Sequence, residues 1–383
     1  PAVAGPFNLG NVVTRAAIGV EQYSGRVVVT AAIPQTKGGV PLRLRTISVA
    51  VNRSNFLFNP TNCSVLATES GLTSTASATQ GLATPFQVTD CSKLPFKPSL
   101  GASSNAKTSR INGASIEVKI TQGKHQANLR EVQLQLPKRL PSRATTLRKA
   151  CAAATFEAGP APGGCTDSSR VGSATVKTPV LPGALTGPAY LVSHGGAAFP
   201  DLDLILRGDG VQVVLVGHTH ISTAGVTTST FESLPDVPIT SAVVDLPMGA
   251  QSVLSANGSL CNSPLTAPTT LVAQSGAKLT QQTMIAVRNC PFAIVSHRTS
   301  RTRAILKVRV PAAGRLMVSG HDLRTLRRRV GKATTVRLVV RLTRAGVHSL
   351  RRHKRLRIRL RVRFAPRSGH HRLSASTRVT FRS

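Results

Sequence analysis

The sequence predicts an all-β protein: tandem β-sandwich-like domains with one short helix, then a basic, immunoglobulin-like β-sandwich at the C-terminal end. Three observations carry this expectation. Apolar residues recur with period two, as in Leu202, Leu204 and Leu206, in Val211, Val213 and Leu215, and in Leu356, Ile358, Leu360, Val362 and Phe364. That spacing turns one face of a strand to a core. Aromatics make up only 3% of the 383 residues and Trp is absent, so the cores rest on Val, Leu, Ile and Ala. Gly and Pro, 31 and 24 of them, punctuate the chain throughout, and helical periodicity is nearly absent.

Taken in order, residues 1–95 read as an N-terminal β-domain with strands over 12–20, 26–33 and 42–51. A short fourth strand falls near 86–88, and 54–60 is an irregular edge. Residues 96–290 form a central β-domain after a Ser-rich linker. Its first strands carry Ile116, Val118 and Ile120, then Leu129, Val132, Leu134 and Leu136. A helix is expected over 142–157: Pro141-Ser142 supplies an N-cap, Ala144, Leu147, Cys151 and Ala154 share a face, and Gly159-Pro160 stops it. Residues 202–216 then make a hairpin about the turn Gly208-Asp209-Gly210, where glycine accepts positive φ. Residues 291–383 form the basic sandwich. Its strands carry Leu306, Val308 and Val310, then Val336, Leu338, Val340 and Leu342, then residues 355–364 and 373–381, with a helical turn or two over 343–352.

Six cysteines, Cys63, Cys91, Cys151, Cys165, Cys261 and Cys290, lie at wide spacings with no CxxC or Cys/His cluster. Metal-ligand spacing is therefore missing, and the even count reads as three disulfides formed outside the cytosol. Six cysteines allow about fifteen connectivities, and an internal repeat selects one. Val40-Pro41 precedes Cys63 by 22 residues, and Val237-Pro238 precedes Cys261 by 23. The spans from Cys63 to Cys91 and from Cys261 to Cys290 are 28 and 29 residues. Landmarks kept in register across two segments indicate duplication. The expected pairs are therefore sequential: 63–91, 151–165 and 261–290. On this reading the first copy lacks its opening half, and a chain opening at Pro1 reads as processed or excised from a longer precursor.

Net charge is +35, and 26 Lys and Arg against a single acid, Asp322, fall after Pro291. Within that segment Arg355, Arg357, Arg359, Arg361 and Arg363 occupy the outer face of one strand. Side chains two apart on a strand stand ~6.6 Å from one another, so the row can neutralise a repeating polyanion with strong salt dependence. It can equally serve as a solvated face that blocks edge pairing. Stacking recognition is disfavoured, because the segment has no Trp or Tyr.

Other motifs lack their companions. Gly217-His218-Thr219-His220 matches the last ligand motif of calcineurin-like phosphoesterases, but DxH, GDxxD and GNH(D/E) are missing upstream. His194, His218 and His220 are the only metal candidates, and the expected state is no metal and no cofactor. His194-Gly195-Gly196 resembles a lipase oxyanion loop without a GxSxG elbow, so a turn is expected. Asp201 and Asp203 sit in a strand, and with Asp209 they lack the loop geometry of a calcium site. No apolar run approaches 18 residues.

Several stretches are long and specific: FNPTNC with PFQVTDCSKLPFKP, LPKRLPSRATTLRKAC, SRVGSATVKTPVLPGALTGPAYLVSHGGAAFPDL and TTSTFESLPDVP. Over about residues 5–290 they resemble a family of large secreted and cell-surface multi-domain β-proteins of soil actinobacteria. VPAAGRLMVSG with LTRAGVHSL resembles a β-domain that ends such surface proteins. The resemblance implies an extracellular setting and carries no catalytic residues. The functional expectation is a non-enzymatic structural or adhesive protein whose basic domain associates with anionic envelope polymer or with other surface proteins. The alternative is a polyanion-binding module that takes nucleic acid without sequence preference, and a metal-dependent phosphoesterase is a remote third.

Overall fold

A computed structural model describes residues 2–4, 6–42, 58–159, 161–196, 198–261, 264–367 and 372–383. The chain is all-β, with three short helices and several sheets. It divides into two compact units. The first comprises 1–103, 109–257 and 265–285, and the second 104–108, 258–264 and 286–383. Residues 1–95 and 96–290 therefore fall largely in one unit.

The first unit is built on a twelve-stranded sheet. Its strands are β1 (Ser99–Asn105), β2 (Ile116–Thr121), β3 (Leu129–Gln135), β4 (Cys151–Ala152), β5 (Arg170–Lys177) and β6 (Ala184–Ser193). They continue with β7 (Asp201–Gly208), β8 (Val211–Ile221), β9 (Thr227–Phe231), β10 (Ser241–Leu246), β11 (Leu265–Ala273) and β12 (Lys278–Arg288). The spatial order is β4-β6-β5-β10-β2-β1-β12-β11-β3-β9-β8-β7, and β7 pairs back onto β6. The sheet thus closes on itself as a barrel, with β4 alone outside the ring, rather than stacking as the expected sandwich.

Closure needs an unusually close approach of backbones. A Cβ on Gly187 of β6 would lie 1.8 Å from the Ile205 carbonyl oxygen, and one on Gly172 of β5 would lie 2.2 Å from that of Asp245. The β7–β8 hairpin forms as expected, with Asp209 and Gly210 at φ 51° and 77° in a two-residue turn between paired Gly208 and Val211. Inside the ring, alternate residues such as Leu202, Leu204, Leu206, Val213 and Val118 surround a cavity of about 320 Å³.

The expected helix over 142–157 is broken in two. The structure has α1 (Ala144–Leu147) and α2 (Ala153–Glu157), separated by β4, in which Cys151 pairs in parallel with Val192 of β6. Ser142 does not cap α1, because its hydroxyl is hydrogen-bonded to that of Thr227 at 2.8 Å. The buried residues are Thr146 and Phe156, not Ala144 and Ala154, which are exposed. Phe156 packs on Tyr190, Val192, Ile205 and Val214 on the outer wall of the barrel.

Disulfides join Cys63 to Cys91, Cys151 to Cys165 and Cys261 to Cys290. The outer two each close the base of a hairpin. One runs through Leu66–Thr73 and Thr79–Phe86, the other through β11 and β12. This is the structural unit repeated in the sequence. The first of these hairpins was not foreseen beyond a short piece near residue 86. Ala16–Val20 and Val27–Ala31 lie within the strands expected over 12–20 and 26–33 and pair as a hairpin, while all but the first residue of the strand expected over 42–51 and most of the edge over 54–60 lie outside the described residues. Asp236 ties the N-terminal segment to the barrel, its carboxylate accepting from Thr61 N (2.8 Å), Asn62 N (3.0 Å), Thr61 Oγ1 (2.9 Å) and Asn128 Nδ2 (2.8 Å).

The second unit contains a seven-stranded, two-sheet sandwich. One sheet runs β13 (Ala293–Ser300), β14 (Arg303–Val310) and, after two intervening strands, β17 (Thr334–Arg341). The other has the order β16-β15-β18-β19, from β15 (Gly314–Ser319), β16 (Leu326–Val330), β18 (Arg355–Pro366) and β19 (Leu373–Arg382). Their inner faces share one core containing Leu306, Leu338, Leu360, Phe364 and Phe381. Helix α3 (Arg344–His353) is capped by Thr343, whose hydroxyl accepts from Gly346 N.

The tight β6–β7 contact gives a direct test. Gly187→Ala should destabilise the first unit by about 3 kcal/mol, because the carbonyl that the new methyl meets is fixed in a ladder. Thermal unfolding followed by far-ultraviolet circular dichroism should show a clear drop. An unchanged transition would mean that the strands do not meet as described.

Candidate functional site

The arginine row lies in β18, between β15 and β19. Ile358, Leu360, Val362 and Phe364 are buried, and Arg355, Arg357, Arg359, Arg361 and Arg363 are exposed. Register adds five residues that the linear sequence does not assemble. Arg382 stands opposite Arg355 and Arg378 opposite Arg359. Arg315 lies on the same face of β15, two residues from Met317, which pairs with Arg363. Arg329 and Arg327 of β16 stand opposite Arg315 and Met317. Ten guanidinium groups thus share one sheet face, spaced ~6.6 Å along strands and ~4.8 Å between them. Among the described residues no carboxylate lies within ion-pair distance of any of the ten.

Three of these contacts, Arg355–Arg382, Arg359–Arg378 and Arg315–Arg329, are like charges directly across a ladder. Such pairs destabilise a sheet. A face serving only solubility is better built with both signs interspersed. Phe, Tyr and Trp are missing from this face among the described residues, where the neighbours of the arginines are Met317, Ser319, Ser374, Ser376 and Thr380.

The histidine candidates lie on the outer wall of the barrel. His218 and His220 project from β8 on the side opposite Val213 and Leu215, and both are exposed. His194 follows β6. His194 Nε2 and His218 Nδ1 converge on Asp201 Oδ2, at 3.3 and 3.0 Å. His220 is not part of that contact. The carboxylate oxygen thus takes both rings, and among the described residues no three His, Cys, Asp or Glu side chains form a group that could hold a metal ion. Gly195 and Gly196, at φ 79° and 66°, make the turn expected of them.

Asp203, two residues along β7, is the most perturbed acid of the site. It is 3% exposed, and its Oδ1 has no partner. Burial, and then the charge of Asp201, push its carboxyl up to about 7, with a smaller contribution from Glu157, against the lowering effects of His218 and the Gly217 N–H. Tyr23 is raised by its own burial and by the charges of Glu157 and Asp203. Period-two reading placed Asp203 on the face opposite Leu202 and Leu204. It could not show that α2 and the N-terminal segment would cover that face.

No protein-family model matches the chain, and no curated protein does. Among solved structures, it is similar to dimeric latent PorU from Porphyromonas gingivalis, at 8% identity over 78% of this chain and 35% of that one, with a TM-score of 0.19. The chain spans about a third of that protein's length, and likeness at this level carries no argument about fold or activity.

The Asp203 environment sets a pH dependence. Its folded pKa lies above the unfolded value of 3.8, so the folded state holds the proton more tightly. The corresponding stability is full below pH ~4, falls as the unfolded chain ionises first, and is lost by pH ~7. In Asp203→Asn, melting temperature relative to the parent should therefore rise between pH 4 and 7 and level off above. A difference that stays constant across that range would show that Asp203 ionises normally.

Proposed function

We propose that this is a non-enzymatic protein of the cell exterior, structural or adhesive, whose second unit holds anionic envelope polymer on its arginine face. The observation that carries the reading is the set of directly opposed arginines, a destabilising arrangement that a polyanion converts into a binding surface. Three disulfides support folding in an oxidising compartment. Among the described residues no helix is long and apolar enough to cross a membrane. The described face lacks aromatic side chains for base or sugar stacking, which supports recognition by charge spacing alone. The immunoglobulin-like character of the two-sheet sandwich and the likeness to actinobacterial surface proteins belong to the same reading. Nucleic acid is then a ligand by charge only, without sequence preference.

Retention of the full chain on purified anionic envelope polymer and on duplex DNA, across a salt series, tests this. Affinity should fall steeply with salt. The triple variant R357Q/R359Q/R361Q should flatten the slope by about three units, close to one per lost contact. Folding should persist, because Ile358, Leu360 and Val362 are untouched. Equal binding by parent and variant would reduce the row to a solvated face. Tighter binding to DNA than to envelope polymer at matched salt would shift the reading to a general polyanion binder.

A further inference from the structure

The barrel lumen has the chemistry of a ligand site that the arginine face does not use. Its walls are the inward residues of eight strands, together with Val20, Gly25 and Val27 from the N-terminal hairpin, around about 320 Å³. None of the lining residues is charged, Phe231 is the one aromatic, and only Thr178 and Ser229 carry a side-chain hydroxyl. The Thr178 hydroxyl donates to the Pro238 carbonyl at 2.7 Å. The Ser229 hydroxyl has no partner among the described residues, but its oxygen is fully covered, so the surface open to the lumen is almost wholly apolar.

We propose that the lumen binds a single unbranched alkyl chain, held by its aliphatic walls. At roughly 30 Å³ per methylene, near a water molecule's share of liquid volume, the cavity holds about ten carbons. A flat aromatic ligand would find one ring to pack on. An ionised head group would lose its hydration with no counter-charge in the wall. A flexible hydrocarbon fits aliphatic walls and leaves no polar group of its own unpaired. The turn over residues 21–26 forms part of the wall from outside the barrel ladder. It is held there by Val214 N donating to Gln22 O at 2.5 Å and by Gln212 Nε2 donating to Gln22 Oε1 at 2.8 Å. Gly25 lies against Pro235, where a Cβ would come within 2.9 Å. That turn is the section of wall best placed to part and admit a chain.

Titration of the full chain with decan-1-ol, read by native mass spectrometry and by thermal shift, tests the proposal. One molecule should bind saturably. Across hexan-1-ol to tetradecan-1-ol affinity should rise roughly fourfold per methylene, then level off near ten carbons. Decane should compete with decan-1-ol for the same site. Ala174→Leu with Ala242→Leu fills the lumen from two adjoining strands and should abolish binding of both. Absence of saturable binding by the parent, or equal binding by the filled variant, would overturn the proposal. Should the filled variant fail to fold, the chain-length series decides, and affinity that keeps rising well past about ten carbons would overturn it.

Discussion

The first unit depends on β7 pairing back onto β6. Thr186 meets Arg207, Ala189 meets Leu204, and Val192 meets Asp201, which turns an open twelve-stranded sheet into a ring. Closure fixes which residues are inside and which are outside, and a one-residue slip would exchange the two sets. In this register Leu202, Leu204 and Leu206 enter the lumen, while Asp201, Asp203 and Ile205 face outward beneath α2. The apolar cavity and the acid–histidine contact are thus two sides of one strand. Asp203 shares its face with Ile205, which packs on Phe156, and is itself buried with Oδ1 unpartnered among the described residues.

The long motifs singled out in the sequence find structural explanations of the same kind. Asp236, in SLPDVP, receives the backbone and hydroxyl of the PTNC segment more than 170 residues earlier. Arg143, in LPSRATT, reaches the carbonyls of Ile111, Gly249 and Ala250. Gly172 and Gly187, in the stretch over 169–202, stand where a side chain would strike a neighbouring backbone. These residues knit loops and strands far apart in sequence and need no substrate to account for them. Specificity of sequence here reflects the demands of closing a large ring.

Local order was legible and long-range order was not. Alternation in 202–216 and 355–364 marked strands because one face of each is buried. The hairpin over 66–86 escaped notice because its residues are almost all exposed, which leaves no alternation to read. The single helix over 142–157 failed at Cys151, where a disulfide and a parallel bridge to Val192 outweigh helical propensity. Cysteine pairing was readable because two segments share one cysteine spacing, each pair closing a hairpin, which left Cys151 and Cys165 to each other. The ring was not, since pairings such as β2 with β10 and β3 with β11 join strands more than a hundred residues apart. Half of the arginine face was visible along one strand, and the other half required the registers of β15, β16 and β19.

The two units carry their functional features by opposite means. The sandwich of the second unit buries Leu306, Val318, Leu360 and Phe364 completely, and that dense core can sustain several repulsive arginine pairs at a few tenths of a kcal/mol or more each. The charge is therefore free to be arranged for a partner, and about +25 of the net +35 comes from the last 93 residues. A field of that strength acts over a Debye length and weakens with salt, so contacts through this face are long in reach and undemanding in shape. The lumen is the reverse: its uncharged wall would act only at van der Waals distance, and its selectivity would come from volume. Because the arginine face and the lumen lie in different compact units, salt should modulate one without touching the other. An arginine-face variant that altered decan-1-ol affinity would then reveal coupling that neither site's own geometry supplies.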